Sequence, residues 1–111
     1  KLDVLDQIEE IAVCVGYRLD DREITEMPAT HAALARVEPV YEKLPGWQTS
    51  TRGVRRFEDL PANARRYLDF LEETTGVEVG VVSIGAERNQ TAVARGSRLE
   101  QLLGLGGDNT L

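Results

Sequence analysis

Residues 61–85 read PANARRYLDFLEETTGVEVGVVSIG, and they set the fold class. Proline at a first helical position has its backbone preset for helix. Ala64, Tyr67, Leu68 and Leu71 recur at helical spacing, while Arg65, Arg66, Asp69, Glu72 and Glu73 mostly fall on other faces. Gly76 supplies a C-terminal stop. This pattern predicts a helix from about Pro61 to Thr75. Val77 to Gly85 follows, with apolar residues on both faces, as expected of a covered strand in an α/β sheet. Ligands of open α/β sheets sit beyond the carboxyl ends of the strands. The backbone N–H groups of Ser83, Ile84 and Gly85 are therefore candidates to reach a ligand, and glycine permits close approach.

Upstream, residues 11–19 predict a strand: Ile11, Val13, Val15, Tyr17 and Leu19 share one face at period two, with Ala12, Cys14 and Gly16 on the other. Asp20-Asp21 predicts a tight turn, because aspartate tolerates left-handed backbone. Arg22 to Met27 would return as the second arm of a hairpin, ended by Pro28. Thr30 is a helix N-cap candidate for residues 30–37. Residues 38–47 predict an extended segment closed by the Pro45-Gly46 turn, with Trp47 covering the core edge. Residues 48–60 read as a polar loop, and Gln90 to Ala94 as a further short strand. Leu99, Leu102 and Leu103 suit a short helical turn before a glycine-rich stretch that is expected to be mobile.

The first six residues carry the sharpest chemistry: Lys1-Leu2-Asp3-Val4-Leu5-Asp6. A lysine stem can lie on the flat face of a purine while its ammonium stays hydrated. An aspartate can accept two parallel bonds, from the ring N–H and the exocyclic amine of guanine. Adenine does not offer that pair of donors, and an unpaired carboxylate penalises the wrong base. On these residues alone, a solvated turn capped by Asp3 or Asp6 is the commoner reading of the pattern.

Composition narrows the field. The chain has 111 residues, 41% hydrophobic and 29% charged, ordinary values for one modest globular core. With 19 acidic against 13 basic residues and a net charge of −6, it lacks the electrostatic footprint of a nucleic-acid or anionic-membrane binder. Its single cysteine, Cys14, excludes an intrachain disulfide and suits a reducing compartment. Apolar neighbours predict a buried Cys14 side chain. His31, the one histidine, has no companion at metal-ligand spacing and reads as a solvent-facing or capping residue. Arg55-Arg56 can hold a phosphate or carboxylate, although a solvated pair is the commoner outcome. There is no apolar stretch long enough to span a bilayer. Because the sequence opens on Lys1 directly inside a motif, it is expected to be a piece of a longer protein.

Four segments together resemble the adenylosuccinate synthetase family. They are Lys1 to Asp6; Pro39-Val40-Tyr41-Glu42 through Leu44-Pro45-Gly46-Trp47; Gly53-Val54-Arg55 with Leu60-Pro61-Ala62-Asn63-Ala64; and Val82-Ser83-Ile84-Gly85 with Arg88 and Thr91. The resemblance covers residues 1–94 and matches only the C-terminal portion of the family chain; 95–111 is left as a tail. It implies an α/β fold, the C-terminal part of a large sheet like that of P-loop NTPases, with an added β-hairpin and one main helix at about 61–75. It implies a GTP-dependent ligase joining IMP and L-aspartate to give adenylosuccinate, GDP and phosphate. Lys1, Leu2 and Asp3, with Ser83, Ile84 and Gly85, would bind the guanine base. Mg2+ would be bound by residues outside this segment, which has no catalytic or metal-ligating residue of its own. A cytoplasmic homodimer is the expected setting for the full-length protein, and the segment alone is expected to be inactive. Ala86-Glu87 departs from the usual proline and acidic pair after the glycine, and Asp21 stands where glycine is common. The alternative is a stand-alone, non-catalytic nucleotide-binding or regulatory α/β module, in which the Lys1-Asp3 pattern arises by chance or serves binding only.

Overall fold

The hairpin and the helix predicted from local signals fall in different bodies. In the computed structural model, which describes residues 1–87 and 89–104, Glu10–Leu44 forms one unit, and Lys1–Glu9 with the chain from Pro45 onward forms the other. Arg88 and the last seven residues, where mobility was expected, lie outside the described residues.

The first of these units is a three-stranded sheet. β1 (Glu10–Leu19) lies between β2 (Arg22–Ile24) and β3 (Glu38–Pro45). β1 and β2 are antiparallel, with Tyr17 opposite Ile24 and Leu19 opposite Arg22. The turn between them places Asp20 and Asp21 at φ of 49° and 66°. Two successive left-handed residues give the turn whose twist matches a hairpin. The period-two reading of β1 holds, with Ile11 buried and Ala12 exposed. Cys14 corrects the expectation of burial: it is exposed, as is Ala12 on the same face. α1 (His31–Arg36) begins where Thr30 Oγ1 accepts the Ala33 N–H at 3.2 Å. It stops before Pro39 because the residue preceding a proline avoids helical backbone.

The other unit is built around α2 (Ala62–Thr75). Pro61 sits one position earlier than predicted, as the N-cap, and its carbonyl accepts the first helical bond from Arg65 N–H at 3.1 Å. Gly76, at φ 69°, closes the helix and donates to Glu72 O at 2.8 Å. Ala64 and Leu68 of this helix are buried together with Leu2, Trp47, Leu60, Val82, Ile84, Ala92 and Val93. β4 (Val81–Ser83) and β5 (Thr91–Val93) pair antiparallel, with Val82 opposite Ala92. The strand predicted over Val77 to Gly85 is thus shorter and one-sided. Val82 and Ile84 are buried, whereas Val77 and Val81 are 65% and 42% exposed. A 3-10 turn at Phe57–Asp59 interrupts the predicted polar loop, and α3 (Arg98–Leu103) is capped by Ser97. The architecture is mixed α/β, with the hairpin and the main helix where they were expected.

Candidate functional site

Lys1-Leu2-Asp3 and Ser83-Ile84-Gly85 stand at opposite ends of the sequence, and the fold brings their backbones together. The Lys1 main-chain nitrogen donates to Ser83 O at 2.7 Å. The Asp3 N–H donates to Ile84 O at 3.1 Å. Leu2 is buried and anchors a 3-10 turn over Leu2–Leu5, while Lys1 is exposed and Asp3 half-buried. Among the described residues the Asp3 carboxylate accepts no hydrogen bond, so its oxygens remain available to a ligand.

The 83–90 loop is organised by Gln90, which the sequence did not reveal. Its carbonyl accepts from Ile84 N–H at 2.7 Å and from Gly85 N–H at 3.4 Å. Its side-chain Oε1 accepts from Glu87 N–H at 3.0 Å. Ser83 Oγ donates to Gly85 O at 3.0 Å. The Ile84 donor is therefore engaged inside the loop. The Gly85 N–H, in a long shared contact, is the weaker-held of the two and the better placed to turn to another acceptor. A Cβ at Gly85 would meet the Gln90 carboxamide, which would have to swing aside.

Beneath the opening turn lies a second feature. Asp6 is buried, and both of its oxygens are used. Oδ1 accepts the Trp47 indole N–H at 2.8 Å and the Thr51 hydroxyl at 2.9 Å. Oδ2 accepts the Thr51 backbone N–H at 2.7 Å. The Asp6 N–H in turn donates to Asp3 O at 3.1 Å. Trp47 also tilts against Tyr67, with ring centroids 6.0 Å apart. Gly46, next to it, has no room for a side chain: a Cβ would strike the Ile8 carbonyl. Its N–H donates to Glu9 O at 2.8 Å, and its carbonyl accepts from Asn63 Nδ2 at 3.0 Å. The Pro45-Gly46-Trp47 turn is thus a joint between the opening segment and α2. One signal was present in the sequence, since a buried indole N–H needs an acceptor.

Arg55 and Arg56 are exposed, as is His31 in the first turn of α1. Among the described residues no group of three His, Cys, Asp or Glu side chains is placed to hold a metal ion. Among them, too, no helix is long and apolar enough to cross a membrane.

Comparison with known proteins gives one consistent result. Residues 1–92 match the family model described as adenylosuccinate synthetase. The chain is 59% identical over 104 residues to the adenylosuccinate synthetase of Solibacter usitatus, covering 94% of this chain and 24% of that protein. It is 53% identical over 95 residues to the chloroplastic adenylosuccinate synthetase 1 of Ricinus communis, covering 86% of this chain and 22% of that protein. The structure of the fully ligated adenylosuccinate synthetase from Plasmodium falciparum superposes with a TM-score of 0.80 at 29% identity, covering 86% of this chain and 23% of that one. The chain therefore spans about a quarter of the length of the relatives it matches. On the sequence match and the shared fold alike, this chain belongs to the adenylosuccinate synthetase family.

Proposed function

We propose that this segment forms the guanine side of the GTP site in a ligase that joins IMP and L-aspartate to give adenylosuccinate, GDP and phosphate. The observation that carries the reading is the backbone joint between Lys1–Asp3 and Ser83–Ile84. Two segments with the chemistry to read one base meet at one place. In this reading the Asp3 carboxylate accepts the ring N–H and exocyclic amine of guanine, a charge-assisted pair that adenine lacks. The Lys1 stem covers the face of the base. The Gly85 N–H serves the guanine carbonyl oxygen, while Leu2, Ser83 and Ile84 supply the framework that sets the distance between the two segments.

Phosphoryl transfer needs Mg2+ to neutralise charge on the phosphates. In this reading no residue of the segment is assigned to the metal or to proton transfer. Those roles, and the contacts to IMP and L-aspartate, fall to other parts of the ligase, which we expect to work as a cytoplasmic homodimer. The segment alone is expected to be inactive.

The test is adenylosuccinate formation by the full-length chain carrying this segment, with IMP and L-aspartate fixed and GTP compared with ATP. Product with GTP and hardly any with ATP supports the reading. Equal rates remove base recognition from it, and no product with either nucleotide leaves a binding or regulatory module.

A further inference from the structure

Among the described residues Asp6 is the one charged side chain that is buried. A buried carboxylate is a poor device for stability, because leaving water costs it much of what its partners return and an apolar side chain of similar size often does as well. What it gives is geometry. Three donors, the Trp47 indole, the Thr51 backbone N–H and the Thr51 hydroxyl lying within reach of both oxygens, fix the carboxylate in plane and in rotation. One residue carries those contacts and also donates its N–H to the carbonyl of Asp3. Two acceptors meeting two parallel donors demand placement within about 0.5 Å and 10–20°. The backbone bonds to Ser83 and Ile84 set one side of the opening turn. Leu2 packs beneath the turn, and Asp6 ties its far end to Trp47 and Thr51.

Resting on the guanine-site reading above, we infer that Asp6, clamped by Trp47 and Thr51, is a positioning residue for base selection: it sets the angle at which Asp3 meets the Watson–Crick edge of the nucleotide. Asp6 itself does not touch the base. The clamp acts on the second of the two Asp3 bonds, the one to the exocyclic amine, since a rotated carboxylate keeps one bond and loses its partner. Inosine triphosphate lacks that amine and reports the loss directly. Weakening the clamp penalises GTP more than inosine triphosphate, and affects binding of the nucleotide more than turnover at saturation.

The experiment is steady-state kinetics of the full-length chain carrying this segment, with GTP and with inosine triphosphate, for Asp6→Asn, Thr51→Val and Thr51→Ser. In Asp6→Asn an amide donor faces either an indole or a backbone N–H. KM for GTP should rise about tenfold with kcat within about twofold, as for loss of a buried charged acceptor. The preference for GTP over inosine triphosphate should narrow. Thr51→Val keeps the Thr51 backbone bond and loses only the hydroxyl, so it should shift both readouts in the same direction by about threefold. It carries the test if Asp6→Asn does not fold. Thr51→Ser, which restores the hydroxyl, should recover both. A folded Thr51→Val with a lower unfolding midpoint but unchanged GTP KM and unchanged preference overturns the inference and leaves Asp6 a packing device. Asp3→Asn, run alongside, separates the two levels. If it leaves the GTP preference intact, the guanine-site reading itself fails and takes this inference with it.

Discussion

The Trp47 indole N–H donates to Asp6 Oδ1 at 2.8 Å, across 41 residues of sequence. The bond joins the turn that carries Asp3 to the Pro45-Gly46-Trp47 turn leading toward α2. In the proposed guanine site, base recognition would therefore depend on Asp6, Trp47 and Thr51 as well as on the residues that meet the nucleotide.

Asp3→Asn should weaken guanine nucleotides selectively. The amide keeps one acceptor and presents a donor to the base amine, and each charged bond is worth roughly 1.5–3 kcal/mol. The KM for GTP in the full-length chain should rise more than about tenfold with the unfolding midpoint unchanged. An Asp3→Asn enzyme with wild-type GTP dependence would remove Asp3 from the site.

Gly46→Ala should destabilise the fold. The new methyl collides with the Ile8 carbonyl, a backbone atom that has no rotamer to escape into. Forcing a group into filled space costs about 1–3 kcal/mol, which equilibrium urea unfolding will register. The same measurement on Gly53→Ala provides the contrast: a Cβ there meets nothing within 4 Å, although φ is 82°. Its cost is backbone strain alone, of about 1–2 kcal/mol.

Gly85→Ala should act through Gln90. The added Cβ displaces the Gln90 carboxamide and breaks its 3.0 Å bond from the Glu87 N–H. The KM for GTP should rise by about threefold to tenfold, the equivalent of one hydrogen bond. Adding Gln90→Ala removes the obstacle, so the double variant should be less impaired than the sum of the two single ones. Strict additivity would show that the two side chains do not meet.

Asp21→Gly should be tolerated and slightly stabilising. At φ 66° an aspartate is strained and glycine is not. Relief of about 1 kcal/mol is partly offset by the extra backbone freedom glycine loses on folding. A small rise in the thermal midpoint is expected; a clear fall would mean that the Asp21 side chain holds the turn by itself.

Local chemistry was legible in the sequence. The Asp20-Asp21 turn, the Thr30 cap, the Gly76 stop and the helix after Pro61 each rest on residues within a few positions of one another, where backbone preference decides. The two segments proposed to hold the base stood out as candidates because their residue types fit guanine. The Asp6, Trp47 and Thr51 network was not, because its partners lie 41 and 45 residues apart and nothing local aligns them. Gln90 escaped for a related reason: its carbonyl takes the Ile84 N–H only once β4 and β5 pair. Cys14 was misjudged because its apolar neighbours along the strand point to the opposite face, where Ile11 is buried, while Cys14 and Ala12 are exposed.

The bond from Lys1 to Ser83 spans 82 positions. Bringing chain ends together over that length costs an unfolded polypeptide on the order of 4 kcal/mol in entropy, so this contact forms late, after helices and hairpins that need only their neighbours. During synthesis the opening turn leaves the ribosome long before β4 exists to receive it. For that interval the emerging chain carries Asp3 with no frame behind it, and the proposed base site is assembled only once nearly the whole segment has been made.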